Sequence, residues 1–431
     1  MTRTLCAGVL APLPSHDSSR IINTERAMVI VGAGHVGGRA AQALREAGWA
    51  GAIVMIGAEP HRPYERPPLS KALLTGEREA SQCALRPEEA WAADRIEHLV
   101  ARVEALDTVA REVVLVDGRR VAYASLLLAT GGHLRKLSIP GADAPGVLGL
   151  RTLDDAAVIA LRLQPDAHIV IVGGGFIGLE VAASARARGC KVSVVEGAPR
   201  LLGRAVPESV SARVLELHRA HGVDARVGIA PLEIMRRDDG HLVVRLADHS
   251  ELLADTVIVG IGIEPASELA RTGGLAVNRG VLVNAELETS EPGVFAAGDV
   301  AEFPSRVSGD AIRQETWHNA ETQARTAARN MLGGHEAYSE LPWFWSDQYD
   351  HQLQVAGEPA LGTSSTTRRL GDDSEITFYS DAQGTLVGAS GFGLASSVAK
   401  ELKLARMLVE RRASPAPTKL ADAGVKLKSL L

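Results

Sequence analysis

The 431-residue chain predicts an α/β fold in which one strand–turn–helix device is used twice, followed by a smaller α+β domain. Three observations carry this reading. An apolar run, Met28-Val29-Ile30-Val31, enters Gly32-Ala33-Gly34-His35-Val36-Gly37, and an Ala-rich helical pattern from Arg39 to Ala47 leaves it. The device returns as Ile169-Val170-Ile171-Val172 followed by Gly173-Gly174-Gly175-Phe176-Ile177-Gly178. Residues 336–431 then change character, with Trp343-Phe344-Trp345-Ser346-Asp347-Gln348-Tyr349 in a chain of only 4% aromatic content.

Each glycine of such a turn has a separate task. The first (Gly32, Gly173) allows a tight turn, the second (Gly34, Gly175) lets a pyrophosphate approach the backbone, and the third (Gly37, Gly178) lets helix and strand pack closely. The phosphates then face unpaired N–H groups and the positive end of a helix dipole. A carboxylate is expected at the end of the following strand, to hold a ribose. After the run Ile53 to Gly57 the candidate is Glu59, and after Lys191 to Val195 it is Glu196. Two complete fingerprints predict two bound dinucleotides.

The remaining elements follow in order. Arg62-Pro63-Tyr64-Glu65-Arg66-Pro67-Pro68-Leu69-Ser70-Lys71 is a rigid loop ending in a helix start, because Pro-Pro fits neither a central strand nor a helix interior. Residues 97–105 and 112–115 read as strands, with Asp117-Gly118 as a hairpin turn. The run Ser125 to Leu128 ends in Ala129-Thr130-Gly131-Gly132, where a large ligand can lie against bare backbone. Residues 140–149 read as a linker and 151–163 as a helix. Thr256 to Gly262 is another buried strand with a glycine exit. Val294-Phe295-Ala296-Ala297-Gly298-Asp299 ends in an acid suited to a sugar or ribityl hydroxyl, or to capping a helix, and residues 315–332 are helical.

Composition excludes several classes. A net charge of −6 gives no overall basic footprint for nucleic acid. No run approaches the roughly 18 apolar residues of a membrane span. Cys6, Cys83 and Cys190 are far apart, which argues for a reducing compartment and against a zinc site or a redox disulfide. No metal site is expected. Residues 1–26 read as a flexible extension or a misassigned start.

Together these stretches resemble the two-dinucleotide flavoproteins. Trp343 to Tyr349 and Arg66-Pro67-Pro68-Leu69-Ser70-Lys71 narrow the resemblance to the ferredoxin reductases of oxygenase systems. It implies a noncovalent FAD on the first fingerprint and NADH on the second. The domains it implies are a split FAD domain (27–138 and 263–335), an inserted NAD domain (139–262) and a C-terminal domain (336–431). Implied FAD contacts are Gly32, Gly34, Val36, Gly37, Arg66, Lys71, Val103, Arg151, Asp299 and Trp317, with Trp345 beside the isoalloxazine. Thr130 and Gly131 belong to the same expected cofactor surface. Lys71 is implied near flavin N5 and Glu180 near the nicotinamide amide. The NAD side adds Gly173, Gly175, Phe176, Ile177, Gly178, Glu196 and Gly262. Relatives often carry an acid directly after the glycine at position 57, where this chain has Ala58, so Glu59 takes that place one residue later.

The implied activity is NADH oxidation, with electrons passing one at a time to a [2Fe–2S] ferredoxin or rubredoxin that feeds an oxygenase or cytochrome P450. A cytoplasmic monomer or homodimer, off the membrane, is expected. Three rivals stand beside it. Disulfide reductases need a cysteine pair that this chain lacks, and a membrane quinone reductase needs an apolar anchor where residues 398–412 carry many charges. A redox-sensing scaffold related to apoptosis-inducing factors would share the same site. NADH is expected over NADPH, because a 2′-phosphate would face Glu196, although Arg200 and Arg204 follow closely.

Overall fold

The computed structural model describes residues 21–22, 27–203, 205–371 and 373–431. The expected N-terminal extension lies outside them, except for the strand Ile21–Ile22, which runs parallel to Arg120 and Val121.

Two parallel five-stranded sheets carry the two glycine turns. The first has the order Val294–Ala296, Ser125–Leu128, Met28–Val31, Ile53–Gly57, Ile96–Val100. The second has the order Val147–Gly149, Thr256–Val259, His168–Val172, Lys191–Glu196, Val223–Val227. In both, the strand that feeds the glycine turn is central. These strands are buried on both faces, which is why they read as continuous apolar runs. The chain passes between the two sheets through an antiparallel ribbon, Gly132–Leu134 against Ile263–Pro265.

The helix after the first turn spans His35–Glu46, starting four residues before its Ala-rich pattern. Glycine is a poor helix former, and close packing explains its use here. A Cβ on Gly37 would lie 1.9 Å from the Gly32 carbonyl oxygen, and one on Gly38 would lie 2.6 Å from Pro63 Cβ.

Two expectations are corrected. The stretch 97–105 is two strands, Ile96–Val100 in the first parallel sheet and Val103–Asp107 in an antiparallel meander with Glu112–Leu115 and Arg120–Ala122. Pairing with the first sheet ends where Ala101 N donates to Gly57 O, and no Gly or Pro marks the break. Within the expected linker 140–149, Val147–Gly149 pairs with Val257 to Val259 as an edge strand. Three residues are too few to show a period.

The C-terminal domain is an antiparallel sheet in the order Trp343–Gln348, His351–Gly357, Leu386–Leu394, Glu375–Ser380, Ser364–Arg369. The helix Ala395–Glu410 covers it through Val398, Leu402, Ala405, Leu408 and Val409, turning Lys400 and Lys403 to solvent. No described helix is long and apolar enough to cross a membrane. The edge strand Trp343–Gln348 packs against the helix Phe176–Ala187 of the second unit and the helix Trp317–Met331 of the first.

Where the second unit meets the C-terminal domain, His218 is fully buried on the helix Glu208–Ala220, bonded to Gln348. Burial pulls its pKa down to about 4. A folded value below the unfolded 6.5 means that the unfolded chain takes up this proton first, so stability falls as pH drops from about 6.5 towards 4. The loss is about 3 kcal/mol from this group alone. Urea midpoints measured from pH 7 to pH 4 should show it, and His218→Gln should flatten that part of the curve.

Candidate active site

At the carboxyl end of the first sheet lies a cavity of about 940 Å³, within the size range of sites for large organic ligands. It is lined by residues from all three units. From the first come Gly32, Gly34, Val36, Glu59, Arg66, Lys71, Val103, Thr130, Gly131, Asp299 and Trp317, with Arg151 from the segment that enters the second. Phe176, Ile177 and Glu180 enter from the second, and Phe344 and Trp345 from the C-terminal sheet. Gly37 lies beneath the loop as a packing residue, off the cavity wall. Gly173, Gly175, Gly178, Glu196 and Gly262 also lie outside the cavity.

The cradle at the first turn fits a diphosphate. Gly32 has φ +117°, and a Cβ there would stand 2.1 Å from the Ala129 carbonyl oxygen. A Cβ on Gly34 would meet only Arg66 Nη2, at 3.8 Å, so this glycine opens its backbone to the cavity. Arg66 sits over it, held by Glu59 at 3.0 Å and by the Arg151 carbonyl. Tyr64 donates its hydroxyl to the other Glu59 oxygen. Glu59 is thus fixed at the end of its strand despite the displaced position. Arg151 pairs with Asp299 at 3.0 Å, joining the loop after Gly149 to the turn Gly298–Val300. Asp299 does not cap the helix Trp317–Met331, since Thr316 accepts from Asn319 N there.

His35, inside the fingerprint but with no role assigned from sequence, bonds Glu321 at 2.9 Å. Burial alone would raise the Glu321 pKa, but His35, Arg39 and Arg325 outweigh it and hold the carboxyl at about 2. Trp317 meets His35 edge-on at 5.3 Å and Trp345 edge-on at 5.9 Å, while Trp343 stacks on Trp345 at 5.2 Å. Trp317 and Trp345 line the cavity, while Trp343 packs against the core of the third domain.

Lys71 and Glu180, distant in sequence, form one ion pair at 3.1 Å. Glu180 is only 4% exposed. Ser70 and Ser346 both donate hydroxyl bonds to it, and Asp347 lies 3.7 Å from Lys71. Sequence reasoning assigned no role to either serine, although both stand inside quoted motifs. A carboxylate offers about four lone-pair positions. Three are taken here, which leaves one for a donor entering the cavity.

The second turn repeats the first. Gly173 has φ +112°, and a Cβ there would lie 2.5 Å from the Gly260 carbonyl oxygen. Glu196 accepts from Gly174 N and Ala198 N, both at 2.7 Å, so its carboxylate is fixed beside the loop. Arg200 is turned into its own loop, donating to the Gly203 and Val206 carbonyls. Arg204 lies outside the described residues. Cys83 and Cys190 are buried, their thiol pKa values pushed up by burial, and neither lines the cavity.

Two dinucleotide turns, a shared cavity between three units and a buried lysine–carboxylate pair define a two-dinucleotide flavin oxidoreductase. Residues 26–324 match the pyridine nucleotide-disulphide oxidoreductase family and residues 343–431 the reductase C-terminal family. The chain belongs to the pyridine nucleotide-disulphide oxidoreductases. It is 42% identical over 412 residues to the ferredoxin–NAD(+) reductase component of the anthranilate 1,2-dioxygenase system of Burkholderia cepacia, covering 94% of this chain and 98% of that one. Rhodocoxin reductase of Rhodococcus erythropolis is 35% identical, with 93% of each chain covered. Among solved structures, the putidaredoxin reductase–putidaredoxin complex superposes with TM-score 0.90 at 35% identity, over 95% of this chain and 98% of that one. The ferredoxin reductase for the CYP199A2 system of Rhodopseudomonas palustris gives 0.88 at 37%, over 94% and 99%.

Proposed function

We propose that this chain oxidises NADH and delivers its electrons singly to a small iron–sulfur protein, a [2Fe–2S] ferredoxin or a rubredoxin, that feeds an oxygenase or cytochrome P450. The observation that carries the reading is the Lys71–Glu180 pair, where the FAD side, the NAD side and the C-terminal sheet meet in one cavity. FAD would be held noncovalently by the Gly32–Gly37 turn, Glu59, Arg66, Val103, Arg151 and Asp299. When bound, it supplies the exchange between a two-electron donor and one-electron acceptors.

The protein's own part is positional and electrostatic. The Lys71 ammonium stabilises negative charge that develops beside it in a water-poor site. Glu180 keeps one acceptor position for the nicotinamide carboxamide, which fixes the ring over its target. Trp317 and Trp345 exclude water from the cavity. The second turn and Glu196 hold the adenosine end of NADH. We place the reaction in the cytoplasm.

Stopped-flow mixing tests the reading. NADH should bleach the flavin band of the purified yellow protein, and oxidised [2Fe–2S] ferredoxin should restore it as the ferredoxin is reduced. Bleaching that persists against several ferredoxins and rubredoxins would move the function to another acceptor. A protein that purifies without flavin would end this account.

A further inference from the structure

Behind Glu180 runs a string of buried side chains that do not line the cavity. Ser346 donates to Glu180 Oε1 at 2.6 Å, and Gln348 Nε2 donates to Ser346 Oγ at 2.9 Å. Gln348 Oε1 lies 2.9 Å from His218 Nε2, and the Tyr349 hydroxyl lies 3.4 Å from His218 Nδ1. Ser346, Gln348 and His218 are each 0% exposed.

The chemistry of the partners fixes every proton. An amide oxygen only accepts, so His218 Nε2 carries hydrogen. Burial keeps the ring neutral, which leaves Nδ1 to accept from Tyr349. A carboxylate also only accepts, so the Ser346 hydroxyl points at Glu180 and takes the Gln348 amide hydrogen on its own oxygen. Every donor from Tyr349 to Ser346 therefore points the same way, towards the buried charge. Aligned bonds of this kind polarise and strengthen one another in a low-dielectric interior.

The route also has structural meaning. Ser346 and Gln348 are two apart on the strand Trp343–Gln348 and share a face. The string starts on the helix Glu208–Ala220 of the NAD-side unit, crosses this strand of the C-terminal sheet, and ends on the helix Phe176–Ala187 of the NAD-side unit. Ser70 ties Glu180 to the FAD side, and its own carbonyl accepts from Ser184 at 2.7 Å.

We propose that Ser346, Gln348 and His218 are positioning residues that orient the Glu180 carboxylate for its contact with the nicotinamide end of NADH. This makes NADH oxidation depend on the packing of the Glu208–Ala220 helix against the C-terminal sheet, at a distance from the cavity. The inference rests on the reading that Glu180 receives the carboxamide.

Removing a donor leaves a lone pair of Glu180 unpaired and frees its carboxylate to turn away from the cavity. Glu180 faces the Lys71 ammonium, Ser70 and Ser346, with Asp347 beyond Lys71. His218 faces Gln348 and Tyr349, with His221 stacked on Tyr349 at 3.6 Å.

The test compares wild type with Ser346→Ala, Gln348→Leu and the conservative Ser346→Thr, each loaded with FAD. The rate of flavin reduction by NADH is followed by stopped flow over a range of NADH concentrations, relative to ferricyanide reoxidation of the dithionite-reduced enzyme. Ser346→Ala should lower that ratio about tenfold, with little change in the NADH concentration for half-saturation. Gln348→Leu should act in the same direction by about threefold, and Ser346→Thr, which keeps the hydroxyl, should restore the rate. If Ser346→Ala does not load FAD, Gln348→Leu and His218→Gln carry the test. Glu180→Gln is run in parallel. An unchanged rate in Glu180→Gln would overturn the carboxamide reading and the string with it. A slowed Glu180→Gln beside an unchanged rate in Ser346→Ala and Gln348→Leu, or a Ser346→Thr enzyme as slow as Ser346→Ala, would overturn the string alone.

Discussion

Gly32→Ala should yield a colourless protein, whereas Gly173→Ala should stay yellow and lose its response to NADH. Both positions have positive φ and both face a carbonyl oxygen, at 2.1 Å from Ala129 O and 2.5 Å from Gly260 O for an added Cβ. Backbone in regions that only glycine readily populates costs about 1–3 kcal/mol for another residue. The clash adds to it, because the obstructing atoms are backbone and cannot rotate away. Since 1.4 kcal/mol is a factor of ten, each turn should lose at least about tenfold in affinity for its own dinucleotide. The two turns sit in separate sheets with separate cores, so the damage should stay local. Flavin-to-protein absorbance ratios read the first effect, and NADH titration of flavin bleaching reads the second. A flavin-free Gly173→Ala, or a fully yellow Gly32→Ala, would show that the assignment of the two turns is reversed or wrong.

The sequence spoke most clearly where one short stretch carries the whole physical cause. A glycine turn between an apolar strand and an Ala-rich helix is such a stretch, as is the acid at the end of the next strand. Both recur in the structure with their partners, Glu59 on Arg66 and Tyr64, and Glu196 on the loop amides. What stayed hidden depends on contacts between distant segments. Nothing around position 180 or 346 shows that Glu180 and Ser346 touch, because the contact exists only once the C-terminal sheet docks. His218 reads as one polar residue on an amphipathic helix, and only the docked strand makes it a fully buried group. The break after Val100 was invisible for a different reason. The strands on either side have similar composition, and the change of sheet follows from pairing geometry that leaves no punctuating residue. Arg200 was legible as a charge but not as a direction, and its direction decides whether it can serve a phosphate.

That direction bears on coenzyme choice. The carboxylate of Glu196 is held by two backbone amides and cannot swing away from a 2′-phosphate without abandoning them. The donors of Arg200, a neighbouring cation, are directed at the carbonyls of Gly203 and Val206. Two unit charges about 4 Å apart repel by roughly 1 kcal/mol in water and roughly 4 kcal/mol at the effective dielectric of a protein surface. NADH should therefore be preferred over NADPH by about fivefold to a thousandfold in kcat/KM. Glu196→Gln should remove most of that preference by raising the NADPH value, because it deletes the charge. The NADH value should fall by less than the NADPH value rises, since the amide oxygen still accepts from one of the two backbone amides, Gly174 N or Ala198 N. Kinetics at low and high salt separate this from a purely steric effect. Added salt screens an exposed charge pair and narrows the wild-type preference, while the Glu196→Gln enzyme, lacking the charge, should not respond. A preference that survives both the substitution and the salt would place coenzyme selection on the shape of the loop and not on Glu196.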